Sequence, residues 1–255
     1  MGSSDSVSDP VLMVTGASRG IGAATARLAG ARGYAVCVNY RINRESADRV
    51  VADLVASGSR AIAVQADVSV EDDVRRLFEA CDRQLGPLRG LVNNAGILET
   101  QMRVDAMDAA RITRVLATNV TGAFLCAREA VRRMSSRYGG RGGAIVNVSS
   151  GASRLGSPGE YVDYAASKGA LDTLTIGLAR EVAGEGIRVN AVRAGFIDTD
   201  IHASGGEPNR LARVGPLTPL RRGGTPQEVA AAILWLLSDE ASYSTGAFID
   251  VTGGC

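Results

Sequence analysis

Thr15-Gly16-Ala17-Ser18-Arg19-Gly20-Ile21-Gly22 continues the apolar run that begins at Val11. Glycines in such a turn let the backbone fold back tightly and come close to a pyrophosphate, whose charge then rests at the N-terminus of the next helix. The spacing is G-x-x-x-G-x-G rather than G-x-G-x-x-G, and a glycine-rich turn can also be a plain helix cap. Its place between a first strand and a first helix favours the phosphate reading, with Gly16, Ser18, Arg19, Gly20, Ile21 and Gly22 as candidate contacts.

Outward from this turn, short β-branched runs alternate with helix-length stretches. The strands expected are Val11–Thr15, Ala35–Tyr40, Ala61–Ala66, Leu88–Asn93, Ala144–Ser149, Ile187–Val192 and Phe248–Val251. Most are continuous apolar runs, the mark of a parallel sheet covered on both faces. Helices are expected near 20–32, 44–57, 70–85, 104–118, 120–137, 161–184 and 226–238. Strict alternation implies right-handed crossovers. The fold class is therefore α/β, a single doubly wound Rossmann domain over 10–255 with a parallel sheet of about seven strands and helices on both faces. Residues 1–9 read as a flexible polar tail, and 198–216 as an irregular excursion of the kind that covers a binding site.

Bulk properties exclude several classes. Lys+Arg 28 against Asp+Glu 27 leaves a net charge of +1, too balanced for a nucleic-acid groove or an acidic membrane surface. No run approaches the ~18 apolar residues that span a bilayer. Cys37, Cys81, Cys126 and Cys255 are far apart in sequence and form no C-x-x-C, which suits a reducing, cytoplasmic setting. His202 is the only histidine, and no cluster has metal-site spacing.

Tyr164-Ala-Ala-Ser-Lys168 puts a phenol and an ammonium at i and i+4 on one helix face. A phenol of pKa ~10 exchanges protons poorly at neutral pH unless a cation stabilises the phenolate. Tyr161 has no such partner, because position 165 is alanine. Upstream, Asn147-Val148-Ser149-Ser150 ends the fifth strand, at the carboxyl edge where a parallel sheet meets its ligand. Asn93-Asn94-Ala95-Gly96 ends the fourth strand, and Asp67-Val68 the third. The second strand ends in Val38-Asn39-Tyr40-Arg41 with no acid before Glu45. An acid there would hold a ribose 2′-hydroxyl and repel a 2′-phosphate; its absence, with Arg19 and Arg41 nearby, favours NADP(H), with NAD(H) still open.

Taken in order, TGASRGIG, Asp67-Val68, NNAG, Asn119-Val-Thr-Gly, the serine pair before Tyr164-x-x-x-Lys168, and Arg188-Val-Asn-Ala-Val-Arg-Ala-Gly195 resemble the short-chain dehydrogenase/reductase family along essentially the whole chain. The resemblance implies hydride transfer between a nicotinamide dinucleotide and a small carbonyl or alcohol. It implies Tyr164 as general acid/base, Lys168 as its pKa-lowering partner, Ser150 as the group polarising the carbonyl, and Asn119 as anchor of a water in a proton relay. Gly16, Gly20 and Gly22 would line the pyrophosphate, and Asn39, Tyr40, Arg41, Asp67, Val68, Asn94, Ala95 and Gly96 the adenosine side and its approach. Gly195, Ile197 and Thr199 would flank the nicotinamide. Homotetramers are implied too. From Ser150 to Tyr164 is 14 positions, one more than is usual, which leaves open whether Ser149 or Ser150 faces the substrate, with Ser150 favoured. Ala194 replaces a usual proline, which implies a looser nicotinamide loop. Two other readings are a sugar or polyol dehydrogenase and a catalytically silent dinucleotide sensor or scaffold.

Overall fold

The computed structural model describes residues 9–255. The expected tail lies outside the described residues except for Asp9. Seven strands form one all-parallel sheet: β1 (Val11–Val14), β2 (Ala35–Tyr40), β3 (Ala61–Gln65), β4 (Leu88–Asn93), β5 (Gly143–Ser150), β6 (Ile187–Ala194) and β7 (Phe248–Val251). Their order is β3-β2-β1-β4-β5-β6-β7. The chain winds outward from β1 to β3, then restarts at β4 on the other side of β1. Beyond the carboxyl ends of β1 and β4 this reversal opens a crevice.

The helices are α1 (Gly20–Ala31), α2 (Arg44–Ala56), α3 (Glu71–Leu85), α4 (Ala109–Leu116), α5 (Gly122–Met134), α6 (Ala152–Leu155), α7 (Val162–Val182), α8 (Ile201–Ser204), α9 (Arg210–Val214) and α10 (Pro226–Leu237). Side chains alternate across a strand, so each strand supplies two cores. Leu12, Val14, Val36, Val38 and Val92 pack with Ala26 and Ala29 of α1 and Ile233 and Leu237 of α10. Val11, Met13, Cys37, Leu91 and Ile145 face the opposite way, onto Leu77, Phe78 and Cys81 of α3 and Cys126 and Ala130 of α5. Both faces are covered, which is why the strands read as unbroken apolar runs.

Three expectations are revised. The helix expected over 104–118 begins only at α4, because Asp108 caps it by accepting the Arg111 N–H at 2.7 Å; Val104–Ala106 is a separate 3₁₀ turn. Between α4 and α5, Ala117–Thr121 winds as a π turn, an insertion often found at functional sites. The 198–216 excursion holds two short helices, α8 and α9, and α6 lies in the stretch before Tyr164. There the longer Ser150–Tyr164 spacing is taken up by left-handed backbone at Gly156, Ser157 and Gly159.

Candidate active site

The glycine-rich turn is held from two sides by amides. Asn94 donates to the Thr15 and Gly16 carbonyls at 2.8 and 3.0 Å, and Asn39 accepts the Gly16 N–H at 3.1 Å while donating to Ala66 O at 3.1 Å. Thr15 Oγ1 accepts the N–H groups of Asn94 and Ala95, each at 3.0 Å. Gly16 sits at φ +61°, and a Cβ on it would lie 2.9 Å from Ala95 Cα. Gly22 does not line the cleft. A Cβ there would meet Asn94 Nδ2 and Gly16 O at 2.5 Å, so its part is to let α1 close onto the turn rather than to touch a pyrophosphate.

A cleft of about 770 Å³ runs from this turn along the strand ends. Every dinucleotide-contact residue expected from the sequence except Gly22 lines it. Its fit to a dinucleotide shows at α1, whose N-terminus has neither a side-chain cap nor an acidic residue in its first turn. The N–H groups and positive dipole end there stay open to an anion. At the adenosine end, Arg19 and Arg41 are exposed and loosely engaged, 3.9 Å from Asp200 and 3.7 Å from Asp67. Asp67 does not cap α3; its carboxylate takes the Ser69 N–H and hydroxyl.

Further along, the two serines ending β5 part company. Ser149 turns into the protein and donates to Asp172 Oδ1 at 2.6 Å. Both border the cleft, but the Ser150 hydroxyl keeps its own proton free, accepting only the Ala152 N–H at 3.1 Å, and it acts on the Tyr164 phenol. Burial pushes that phenol above its ordinary value, against a downward pull from the Ser150 hydroxyl. Lys168 Nζ stands 5.5 Å from the Tyr164 ring centroid and donates to Val148 O at 2.8 Å. Burial brings the Lys168 ammonium itself down to about 8. Tyr164 therefore carries its proton at pH 7, as a proton donor must.

Asn119 is buried and is not a cleft-lining residue. Its Oδ1 accepts the Ile97 N–H at 2.8 Å, and its Nδ2 donates to Ile97 O and Ser167 Oγ, both at 3.0 Å. An amide so occupied fixes the loop after β4 to α7. The loop after β6 is tied at two points, where the Gly151 N–H donates to Ala194 O and the Gly195 N–H to Val251 O, both at 2.9 Å.

The substrate end is walled by Leu98, Leu155, Tyr161, Phe196, Ile201 and His202. Tyr161 donates its hydroxyl to Gly205 O at 3.1 Å, so it seals the excursion. Arg210, buried, joins Glu160 at 2.5 Å and Glu207 at 3.1 Å; Arg213 reaches the same two carboxylates, and Gln101 donates to Glu207 at 2.7 Å. The sequence reading missed this clasp, whose partners lie up to 106 positions apart. His202 Nε2 donates to Ile197 O at 2.9 Å, and burial lowers its pKa. Among the described residues no helix is long and apolar enough to cross a membrane, and no acidic, Cys or His cluster could hold a metal.

Known proteins match this architecture. A family model described as "Enoyl-(Acyl carrier protein) reductase" matches residues 16–255. The chain is 61% identical to the uncharacterized oxidoreductase YgfF of Escherichia coli, over 96% of this chain and 99% of that protein. It is 41% identical to 3beta-hydroxysteroid dehydrogenase 1 of Eggerthella lenta, over 98% and 95%. A Burkholderia cenocepacia short-chain dehydrogenase crystallised with NADP is 32% identical, with a TM-score of 0.88 over 97% of this chain and 98% of that one. With its parallel sheet, its glycine-rich turn and the Tyr164–Lys168 pair at one cleft, the chain belongs to the short-chain dehydrogenase/reductase family, oxidoreductases that interconvert alcohols and carbonyls with a nicotinamide dinucleotide.

Proposed function

We propose that the protein reduces a small, uncharged carbonyl compound with NADPH. The observation that carries this reading is the convergence of Ser150, Tyr164 and Lys168 on one end of the cleft, with the phenol held protonated by burial. The bound nicotinamide supplies the hydride. Ser150 donates a hydrogen bond to the substrate oxygen and polarises it; Tyr164 delivers a proton to that oxygen as charge builds there. Lys168 holds a positive charge beside the pair, and Asn119 sets the distance between the loop after β4 and α7. The turn at Gly16–Gly20 and the open N-terminus of α1 take the pyrophosphate.

Preference for the phosphorylated dinucleotide is supported by Arg19 and Arg41, loosely paired and exposed beside the end of β2 where they would meet a 2′-phosphate, and by the absence of an acid at the end of β2. The wall of Leu98, Leu155, Phe196 and Ile201 favours an apolar substrate, and the guanidiniums of Arg210 and Arg213 are taken up by Glu160 and Glu207 rather than offered to an anionic one. Self-association is also part of the reading: Ile112, Leu116, Phe124, Val162 and Ile176 are exposed apolar side chains on α4, α5 and α7.

The test is a panel of neutral ketones, keto acids and sugars assayed for NADPH oxidation and for NADP reduction. Turnover of apolar ketones with NADPH, and little with NADH, is the expected result. No turnover of any member in either direction, with dinucleotide still bound, points instead to the silent sensor.

A further inference from the structure

Lys168 is the only lysine among the 255 residues; every other basic side chain apart from His202 is arginine. It is buried, and its ammonium donates to a neutral carbonyl, Val148 O. A buried ammonium is costly unless a counter-charge stands near it. One helical turn further along α7, on the same face, lies the Asp172 carboxylate, with its side chain 13% exposed. Ser149 joins the two positions: its hydroxyl donates to Asp172 Oδ1 at 2.6 Å and lies 3.4 Å from the Lys168 carbonyl. From β6, Arg193 donates to Asp172 Oδ2 at 2.9 Å and stacks on Phe248 at 3.9 Å. We propose that Asp172 is a positioning residue for the reaction: held in place by Ser149 and Arg193, its carboxylate keeps the Lys168 ammonium charged at the working pH.

The charges around Lys168 can be named element by element. α7 carries Asp172 and the protonated Tyr164. Arg193 comes from β6, and behind it stand Asp250 of β7, 3.4 Å from Arg193, and Arg154 of α6, 2.8 Å from Asp250. Ser149 and Ser150 on β5, Asn119 and the loop at Gly96 are uncharged neighbours. Asp172 is therefore the acid acting most directly on the ammonium, and Arg193 partly offsets it. Burial pulls Lys168 down to about 8, and the carboxylate of Asp172 opposes that pull.

This inference rests on the proposed role of Lys168 in turnover, yet its test does not need turnover. In the full chain labelled with ¹³C-lysine, Lys168 gives the sole side-chain lysine signal, and its titration midpoint is read directly. In Asp172→Asn, which keeps the shape and one of the two accepting oxygens, the midpoint is expected to fall by about half a pH unit or more, roughly threefold in proton affinity. Arg193→Gln is expected to move it upward, and Ser149→Ala, which changes no charge, to leave it in place. An Asp172→Asn midpoint coincident with the wild type overturns the proposal; should that variant not fold, an Arg193→Gln midpoint that stays or falls does the same. The alkaline limb of kcat/KM should follow the midpoint in each variant. If the midpoint moves as expected while Lys168→Met retains turnover, the role of Lys168 fails and the electrostatic inference stands.

Discussion

Two groups at the reacting end are pushed by burial in opposite senses. The Tyr164 phenol is raised and the Lys168 ammonium lowered, because each is disfavoured in its charged form when water is withdrawn. The sign for activity follows. Below about pH 8 the ammonium is charged, and above that it loses its proton well before an exposed lysine would. Since kcat/KM reports the free enzyme, kcat/KM for NADPH is expected to fall about tenfold per pH unit on the alkaline side, from a break near 8. A profile flat to pH 10 contradicts this placement of the charge. Ser150→Ala removes the polarising donor and is expected to lower kcat by about 10²-fold with NADPH affinity little changed; stopped-flow NADPH oxidation reads the rate and fluorescence titration the affinity. The i, i+4 spacing of Tyr164 and Lys168 was legible in the sequence because a helix has a fixed period. The commitments of Asn39, Asn94 and Asn119 were not, because their partners, mostly backbone atoms of loops and for Asn119 also Ser167 Oγ on α7, are brought together only by the sheet.

Among the elements, α1 and the turn before it carry a tight steric demand at the cleft. Gly22→Ala places a methyl 2.5 Å from Gly16 O and from Asn94 Nδ2. Overpacking against backbone costs about 1–3 kcal/mol, so chemical denaturation should show a loss of that size, together with weaker NADPH binding as the turn is displaced. Unchanged stability means the helix has room that the structure denies it. The clasp over 198–216 acts at the other end of the cleft. Arg210→Met removes the buried half of the clasp and leaves Glu160 and Glu207 to the exposed Arg213 alone; the expected outcome is a substrate KM raised about tenfold with the NADPH Kd near wild type. The strands were readable as apolar runs and the long helices as periodic ones. The π turn at Ala117–Thr121 and the helices α8 and α9 were not. One reflects the pull of Asn119 toward Ile97, and the stretch holding the others is tied by the Arg210–Glu160 ion pair and the Gln101–Glu207 hydrogen bond to residues distant in sequence rather than by a local pattern.

For the molecule as a whole, the sheet reversal between β1 and β4 explains why one cleft serves both cofactor and substrate. The apolar side chains left on α4, α5 and α7 are the surface on which self-association is expected. Phe124, half exposed, is its largest member, and Phe124→Glu should reduce the mass measured by light scattering while the monomer keeps its fold. The central claim is chemical, however, and concerns one oxygen atom. Tyr164→Phe deletes the hydroxyl and little else, so its most direct test is single-turnover oxidation of bound NADPH by a ketone that the wild type reduces. A fall of about 10²–10⁴-fold in rate, with the NADPH Kd unchanged, is the expected result. A rate near that of the wild type means the proton comes from elsewhere and contradicts the account.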